Sequence, residues 1–321
     1  MKKNLHFLFA TLSLLLTFNH LNAQNLNYKV LHDNPDLRPW LSVNLDLLQL
    51  DMGVSNIDGT SFNLGAYGFY EPVHRLGVNY NIKFPWLTFG KIANKNYPSN
   101  FELDLGGYFG LISYEKTKKT QIVLKKEYKG STYSSSYDNR PTETVTYIMV
   151  PARQKVYIGV RAGLNHKNGP FNYDTYQNDP LYLGDIEETA LSSYGIYAGI
   201  YKRRLRNVFL DVENYGPRFN SIGDDFFLDV MLFPSNRFSD VNNNNADVSD
   251  FVKTNTNASP LGFRVGWMRY QIEKKNRTGK MFGMSGRFEA GYKPYQGWFF
   301  NGGIGLTLIK NYKNTGDETA K

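Results

Sequence analysis

From Pro39 to Lys310 the chain repeats one pattern, a run of about ten residues in which large apolar and small or polar side chains alternate, closed by Gly, Pro, Asn or a basic cluster. In "HRLGVNYNIKF", Leu76, Val78, Tyr80, Ile82 and Phe84 fall on one side and Gly77, Asn79, Asn81 and Lys83 on the other. "QGWFFNGGIGLTLIKNY" sets Trp298, Ile304 and Leu306 against Asn301, Gly303 and Gly305, and "FELDLGGYFGL" sets Leu103, Leu105 and Phe109 against Glu102, Asp104 and Tyr108. A period of two is that of a β-strand. No helical pattern lies between the runs to cover their apolar sides, which excludes an α/β or helical domain.

Ten tilted residues is the length at which a strand crosses a bilayer. An open sheet cannot stay in hydrocarbon, because each unpaired backbone group costs several kcal/mol there, whereas a closed antiparallel barrel pairs them all. The expected fold is therefore all-β, a closed antiparallel transmembrane β-barrel of about 12 strands, with 10 to 14 allowed, and long extracellular loops. The runs fall near 40–53, 61–71, 74–85, 101–114, 154–166, 191–202, 206–213, 225–233, 259–273, 281–292 and 296–310, with a weaker one at Trp86 to Ile92. Trp40, Trp86, Tyr114, Trp267, Tyr292 and Trp298, near strand ends, are expected in interfacial aromatic girdles. Large barrels commonly use a length of 321 residues as one unit.

The opening "MKKNLHFLFATLSLLLTFNHLNAQ" has two lysines, a short apolar run and a small residue at Ala23, the pattern of a secretory signal peptide cleaved after that residue. This divides the chain into a signal at 1–23, a periplasmic N-terminal lead at 24–38, the barrel at 39–310 and a polar C-terminal tail at 311–321. With no cysteine there are no disulfides, no thiol chemistry and no lipid-acceptor site. The formal net charge of +8 is gathered in clusters such as "EKTKK", "KRRLR" and "EKKNRTGK". For an exported chain these suit solvated turns or contact with phosphate-bearing lipid headgroups, and nucleic acid is not an expected partner.

Two regions break the rhythm. Gln121 to Tyr128 and Thr142 to Val150 flank a Ser- and Tyr-rich tip, and read as a hairpin carrying two barrel strands into an extracellular projection. "PSNRFSDVNNNNADVSDFVKTNTNASP" reads as a long polar loop.

The ending "LNAQ" of the signal, the strands rich in Tyr, Asn and Lys, and the terminal "GWFFNGGIGLTLIK" resemble the outer-membrane β-barrel proteins of Bacteroidota. The likeness spans the signal and roughly Pro39 to Lys310, and is one of style without a family-defining motif. It departs from the usual terminal aromatic residue, since "NYKNTGDETAK" follows the last strand. It implies a location in the cell outer membrane, among outer-membrane lipid and lipopolysaccharide, with other envelope proteins as partners.

If the apolar set meets lipid, the other set lines the lumen: Asp46, Lys83, Glu102, Asp104, Arg161, Asp211, Asp229, Arg264, Arg287 and Glu289, with Glu213 and several asparagines. Both signs are present, which suits either a polar core held by ion pairs or the lining of a selective pore. Inward glycines such as Gly106, Gly159, Gly163, Gly199 and Gly266 suit a narrow, tightly curved barrel.

Catalytic patterns fail on inspection. "NHKNG", Asn165 to Gly169, resembles the His-x-Ser-Asn-Gly motif of outer-membrane phospholipases but lacks the serine, so His166 has no nucleophile beside it. Asp224 and Asp225 are adjacent and would point to opposite faces of a strand. Asp240, Asn242, Asn244 and Asp247 alternate like oxygen ligands for calcium, without the Gly and Glu that complete an EF-hand loop. His32 and His74 are isolated. The sequence is thus expected to encode a non-enzymatic outer-membrane barrel with a narrow or closed lumen and no cofactor or metal, an accessory or scaffold component of an envelope assembly. A passive porin-like channel is the alternative, ahead of an outer-membrane hydrolase and of a soluble lipid-binding barrel, whose outer face would have to be polar.

Overall fold

The structure, a computed structural model, describes residues 22–23, 26–36, 41–53, 61–73, 75–88, 101–129, 142–171, 189–240, 246–255, 259–274, 281–294 and 297–309. The expected signal, apart from Asn22–Ala23, the expected tip at 130–141, Trp40, and the expected tail at 311–321 lie outside them.

The strands are β1 (Asn22–Ala23), β2 (Tyr28–Asp33), β3 (Leu41–Gly53), β4 (Ser61–Val73), β5 (Leu76–Thr88), β6 (Phe101–Lys129), β7 (Thr142–Phe171), β8 (Thr189–Val212), β9 (Gly216–Asp240), β10 (Ala246–Asp247), β11 (Leu261–Lys274), β12 (Met281–Lys293) and β13 (Gly297–Ile309), with one short helix, α1 (Ser249–Asn255). The chain divides into a larger unit, 34–116, 153–207 and 220–321, and a smaller one, 1–33, 117–152 and 208–219. Strands β6 to β9 contribute residues to both.

In the larger unit the order β7-β6-β5-β4-β3-β13-β12-β11-β9-β8 is closed by antiparallel pairing of β7 with β8, from Gln154↔Arg206 to Phe171↔Thr189. The result is a closed antiparallel barrel of ten strands. Ten lies within the expected range but below twelve, for two reasons. Trp86 to Thr88 continue β5 instead of opening a new strand, and the runs near 191–202 and 206–213 are one strand, β8.

Each barrel strand turns apolar side chains outward. Leu45, Leu64, Val78, Leu105, Val160, Ile196, Leu228, Val265, Met284 and Ile304, one from each strand, are 39% to 65% exposed. The opposite faces carry Asn44, Asn63, Asn81, Asp104, Arg161, Tyr197, Asp229, Arg264, Arg287 and Asn301, all at or below 9%. This is a water-soluble barrel turned inside out, the arrangement that a hydrocarbon surrounding selects. Strict alternation fails once in β3, where a register shift between Asp46 and Gln49 leaves both Leu47 and Leu48 outside. A bulge adds one residue to one strand, so the expected Leu41 to Leu47 register does not extend through the strand.

Strand direction fixes which connections share an end of the barrel. One end carries the start of β3, the β4–β5 turn, the β11–β12 connection, the end of β13, and the points where the chain leaves for 117–152 and 208–219. The other carries the ends of β3, β5, β7, β9 and β12 and the starts of β4, β6, β8, β11 and β13. The expected hairpin strands do form, as the end of β6 and the start of β7, and the tip between them lies outside the described residues.

The smaller unit is two small sheets around one core. β6 and β7 pair with each other and with the two-residue parallel strand β1; β8 pairs with β2 and β9. Ile122, Leu124, Ile148, Val150, Ala152, Val208, Leu210 and Val212 form its buried cluster, with Leu26 and Tyr215 packed against it. Arg218 Nη2 donates to the Leu124 carbonyl at 3.1 Å. The β8–β9 hairpin turns through Asn214 and Gly216, both at positive φ, which Asn and Gly tolerate best. Residues 28–33, within the expected lead, are thus a strand of this unit.

Candidate functional site

The chemistry-bearing groups of the larger unit are gathered inside the barrel. Lys83, Arg161, Arg203, Arg264, Arg287 and Lys293 face Asp46, Glu71, Glu102, Asp104, Asp225, Asp229 and Glu289, and all thirteen are buried. The near balance of signs follows from the cost of burying an unpaired charge.

Four groups of contacts make up the interior. Arg264 donates from Nε to Asp229 at 2.7 Å and is bonded through Nη1 to Asp104, while Tyr197 OH donates to Asp104 at 2.9 Å. Arg161 lies 3.2 Å from Asp229 and rests on the Phe227 ring, 4.0 Å from its centroid. Glu102 accepts from Lys293, from Lys83 at 3.5 Å and from Asn165 at 3.0 Å, and Lys83 also lies 3.9 Å from Glu289. Arg287 donates to Asn81 at 2.6 Å, and its Nε is 3.1 Å from Asp46 but off the hydrogen-bonding direction, so that contact is ionic only. Arg203 grips Asp225 with two bonds of 2.7 and 2.8 Å and donates to Glu71 at 3.1 Å and to Tyr108 at 2.9 Å.

Many of these contacts join strands that are not neighbours. Lys293 on β12 and Glu102 on β6 stand half-way round the ten-strand ring from one another. Arg264 on β11 reaches Asp104 on β6, and Arg203 on β8 reaches Glu71 on β4. Such bonds cross the lumen itself. Aromatic rings fill the space beside them, and inward glycines seat the rings: a methyl group at Gly266 would strike Phe227, and one at Gly106 would strike the Tyr197 hydroxyl. The glycines therefore make room for side chains as well as for curvature.

Of the ten charged residues expected in the lumen, nine lie in this network. Asp211 does not. It is exposed in the smaller unit, opposite Lys29 of β2, and Glu213 is exposed beside it. The cause is a change of face along β8: Tyr201, Arg203 and Leu205 are buried at odd positions, but Val208, Leu210 and Val212 at even ones. Glu71, Arg203 and Lys293 belong to the interior as well, and lie in "EPVH", "KRRLR" and "KPYQG", which read in the sequence as connections; Asp225, at the start of the run 225–233, joins them. Continuing the inward series Tyr197, Tyr201 by one more step would have found Arg203.

Asp224 and Asp225 do diverge. Asp225 binds Arg203 inside, and Asp224 binds the half-exposed Arg269 at 2.7 Å on the outer face. His166 is stacked on Tyr194, 4.0 Å between ring centroids, and meets Phe101 edge-on at 5.2 Å. With Phe263, Tyr292 and Trp298 in edge contacts at the same end, these rings form an outer aromatic belt. Asp247, weighed as a calcium ligand, accepts from the Ser249 backbone N–H at 2.9 Å at the start of α1 and pairs with Arg237 at 3.2 Å. Asn242 and Asn244 lie outside the described residues.

A closed antiparallel ring with a charged interior and an apolar exterior defines the class: a β-barrel of the outer-membrane type. Among solved structures the chain is similar to OmpT, an outer membrane protein of Vibrio cholerae, in its in-vitro folded form, at 12% identity over 88% of this chain and 100% of that one, with a TM-score of 0.17. It is also similar to the loop L8 deletion mutant of that protein, at 13% identity over 84% and 98%, with a TM-score of 0.16. No residue correspondence follows from likenesses of that size. No family model and no curated protein matches the chain.

Proposed function

We propose that this chain is an integral outer-membrane barrel with a closed interior, a non-enzymatic scaffold of the cell envelope that carries the small β-sandwich unit on strands β6 to β9. The observation that carries the reading is the bond from Lys293 to Glu102 across the ring, with Arg264–Asp104 and Arg203–Glu71 spanning the same interior. A conducting lumen needs a water path, and side chains bonded across the ring support a closed one.

Export through a signal cleaved after Ala23, a Bacteroidota-type envelope, and contact with outer-membrane lipid, lipopolysaccharide and other envelope proteins belong to the same proposal. The start of β3 and the end of β13 share one end of the barrel, which supports placing that end in the periplasm. Cleavage after Ala23 would also remove β1 and free that edge of β7 for a partner strand.

The test is wild-type protein in planar bilayers. Near-zero conductance, with a stoichiometric partner retained on purification in mild detergent, is the expected result. Steady conductance would replace the scaffold with the porin-like channel.

A further inference from the structure

The outer wall of the barrel holds a second charged constellation that the interior network does not use. On β8, Lys202, Arg204 and Arg206 alternate with the inward Tyr201, Arg203 and Leu205, so they stand on the apolar, outward face. Across β9 and β11 that face continues with Phe226, Trp267 and Arg269. The Arg204 guanidinium lies 4.5 Å from the Phe226 ring centroid, Arg269 lies 5.3 Å from that of Trp267, and the two rings are 6.3 Å apart. Asp224 is the patch's carboxylate, and it is bound to Arg269. The Nε atoms of Arg204 and Arg206 are shielded and have no hydrogen-bond partner. Four cations with one acid, beside exposed Leu228 and Val265, make a poor surface for either water or hydrocarbon alone.

We infer that Lys202, Arg204, Arg206 and Arg269 form a headgroup site for an anionic phospholipid, with Phe226 and Trp267 packing beside its glycerol and upper acyl region. Guanidinium forks match phosphate oxygens, and aromatic rings stabilise the boundary between headgroup and chain. The site lies toward the barrel end at which β3 starts and β13 ends, so its lipid belongs to the leaflet on that side. The inference rests on the barrel spanning a bilayer.

The experiment uses a Trp40→Phe, Trp86→Phe, Trp298→Phe chain, which keeps Trp267 as its one tryptophan, in vesicles of phosphatidylcholine with phosphatidylglycerol. Brominated phosphatidylcholine should quench Trp267 in any case, which reports insertion. At equal mole fraction, brominated phosphatidylglycerol should bind beside Trp267 with roughly fivefold preference, the size that one cation near an anionic surface supplies. Arg204→Gln with Arg206→Gln should abolish most of that preference while leaving phosphatidylcholine quenching and heat-modifiable migration unchanged. Equal quenching by both lipids in the parent chain, or an unchanged preference in the double variant, would overturn the site. So would loss of the preference on adding millimolar inorganic phosphate at constant ionic strength, since the patch would then hold a soluble anion. Absence of quenching by either lipid would instead reject the membrane-spanning reading.

Discussion

Lys293 and Glu102 are held together from opposite walls of the barrel, and both side chains are almost wholly shielded from water. Two further donors, Lys83 and Asn165, share the same carboxylate. The contact ties wall to wall and leaves neither charge alone.

This sharing predicts an asymmetry. Glu102→Gln strips two buried lysines of their common partner and should cost about 3–5 kcal/mol, the usual size for an orphaned buried charge. Lys293→Met leaves Glu102 with Lys83 and should cost clearly less, and the double variant should recover part of the loss. Unfolding in urea from vesicles measures all three. Equal losses for the two single variants would show that Lys293 is the only partner that matters.

The outer face has its own test. Val265 is 48% exposed and its neighbour Arg264 is 1% exposed, on the same strand. Val265→Arg should cost about 2–4 kcal/mol near the bilayer midplane, although a native arginine sits one residue away. Unimpaired assembly of Val265→Arg would mean that this face does not meet lipid.

That contrast is legible in the sequence, because period two assigns Val265 and Arg264 to opposite faces whatever the neighbouring strands. The strand count was less legible. The apolar pattern that reveals a strand is imposed by lipid, and it ends where lipid ends, so the polar "KRRLR" looked like a turn although β8 runs through it to Val212. The change of face between Leu205 and Val208 has no mark in the sequence, and it misplaced Asp211. Nor does the sequence show that Lys293 and Glu102 meet, since their contact depends on ring closure and not on local pattern. The helix Ser249–Asn255 was hidden within an Asn-rich stretch.

Replacing Arg161, Arg264 and Arg287 together with Ser should open the interior. Their removal leaves Asp46, Asp104 and Asp229 without these partners and vacates the volume of three guanidinium groups. Planar-bilayer conductance should rise from near zero to a measurable, cation-selective level, because the carboxylates remain. A variant that migrates as folded yet stays silent would show that other side chains, rather than this network, close the barrel.

The smaller unit should respond to acid through His32 in β2. Burial pushes its imidazole below the ordinary value of 6.5, although the nearby Asp33 pulls the other way. The folded unit then binds fewer protons than the unfolded chain between the lowered value and 6.5, so its stability is full above that window and falls as pH drops through it. Amide exchange at Val208 to Val212, corrected for intrinsic rates, should quicken below about pH 6.5 in the wild type and change less in His32→Gln. Identical profiles for the two proteins would remove His32 from the account.

The last prediction concerns sidedness, and the absence of native cysteine makes it directly measurable. The start of β3, the end of β13, the β4–β5 turn and the departures of the chain toward 117–152 and 208–219 all lie at one end of the barrel. If that end faces the periplasm, a cysteine at Arg75, at Lys119 or at Asn214 should resist a membrane-impermeant maleimide in intact cells and react after the outer membrane is opened. A cysteine at Lys253 or Ser259, between β9 and β11 at the opposite end, should react at once. The sequence pattern alone favoured an extracellular position for 116–153, because long connections usually lie outside and short turns inside. On the proposed placement of this end, strand direction outweighs that tendency, since antiparallel pairing around a closed ring sets which strand starts and ends share one end. Labelling of Lys119→Cys in intact cells, with Arg75→Cys protected, would break this reasoning, and labelling of both would invert the whole barrel.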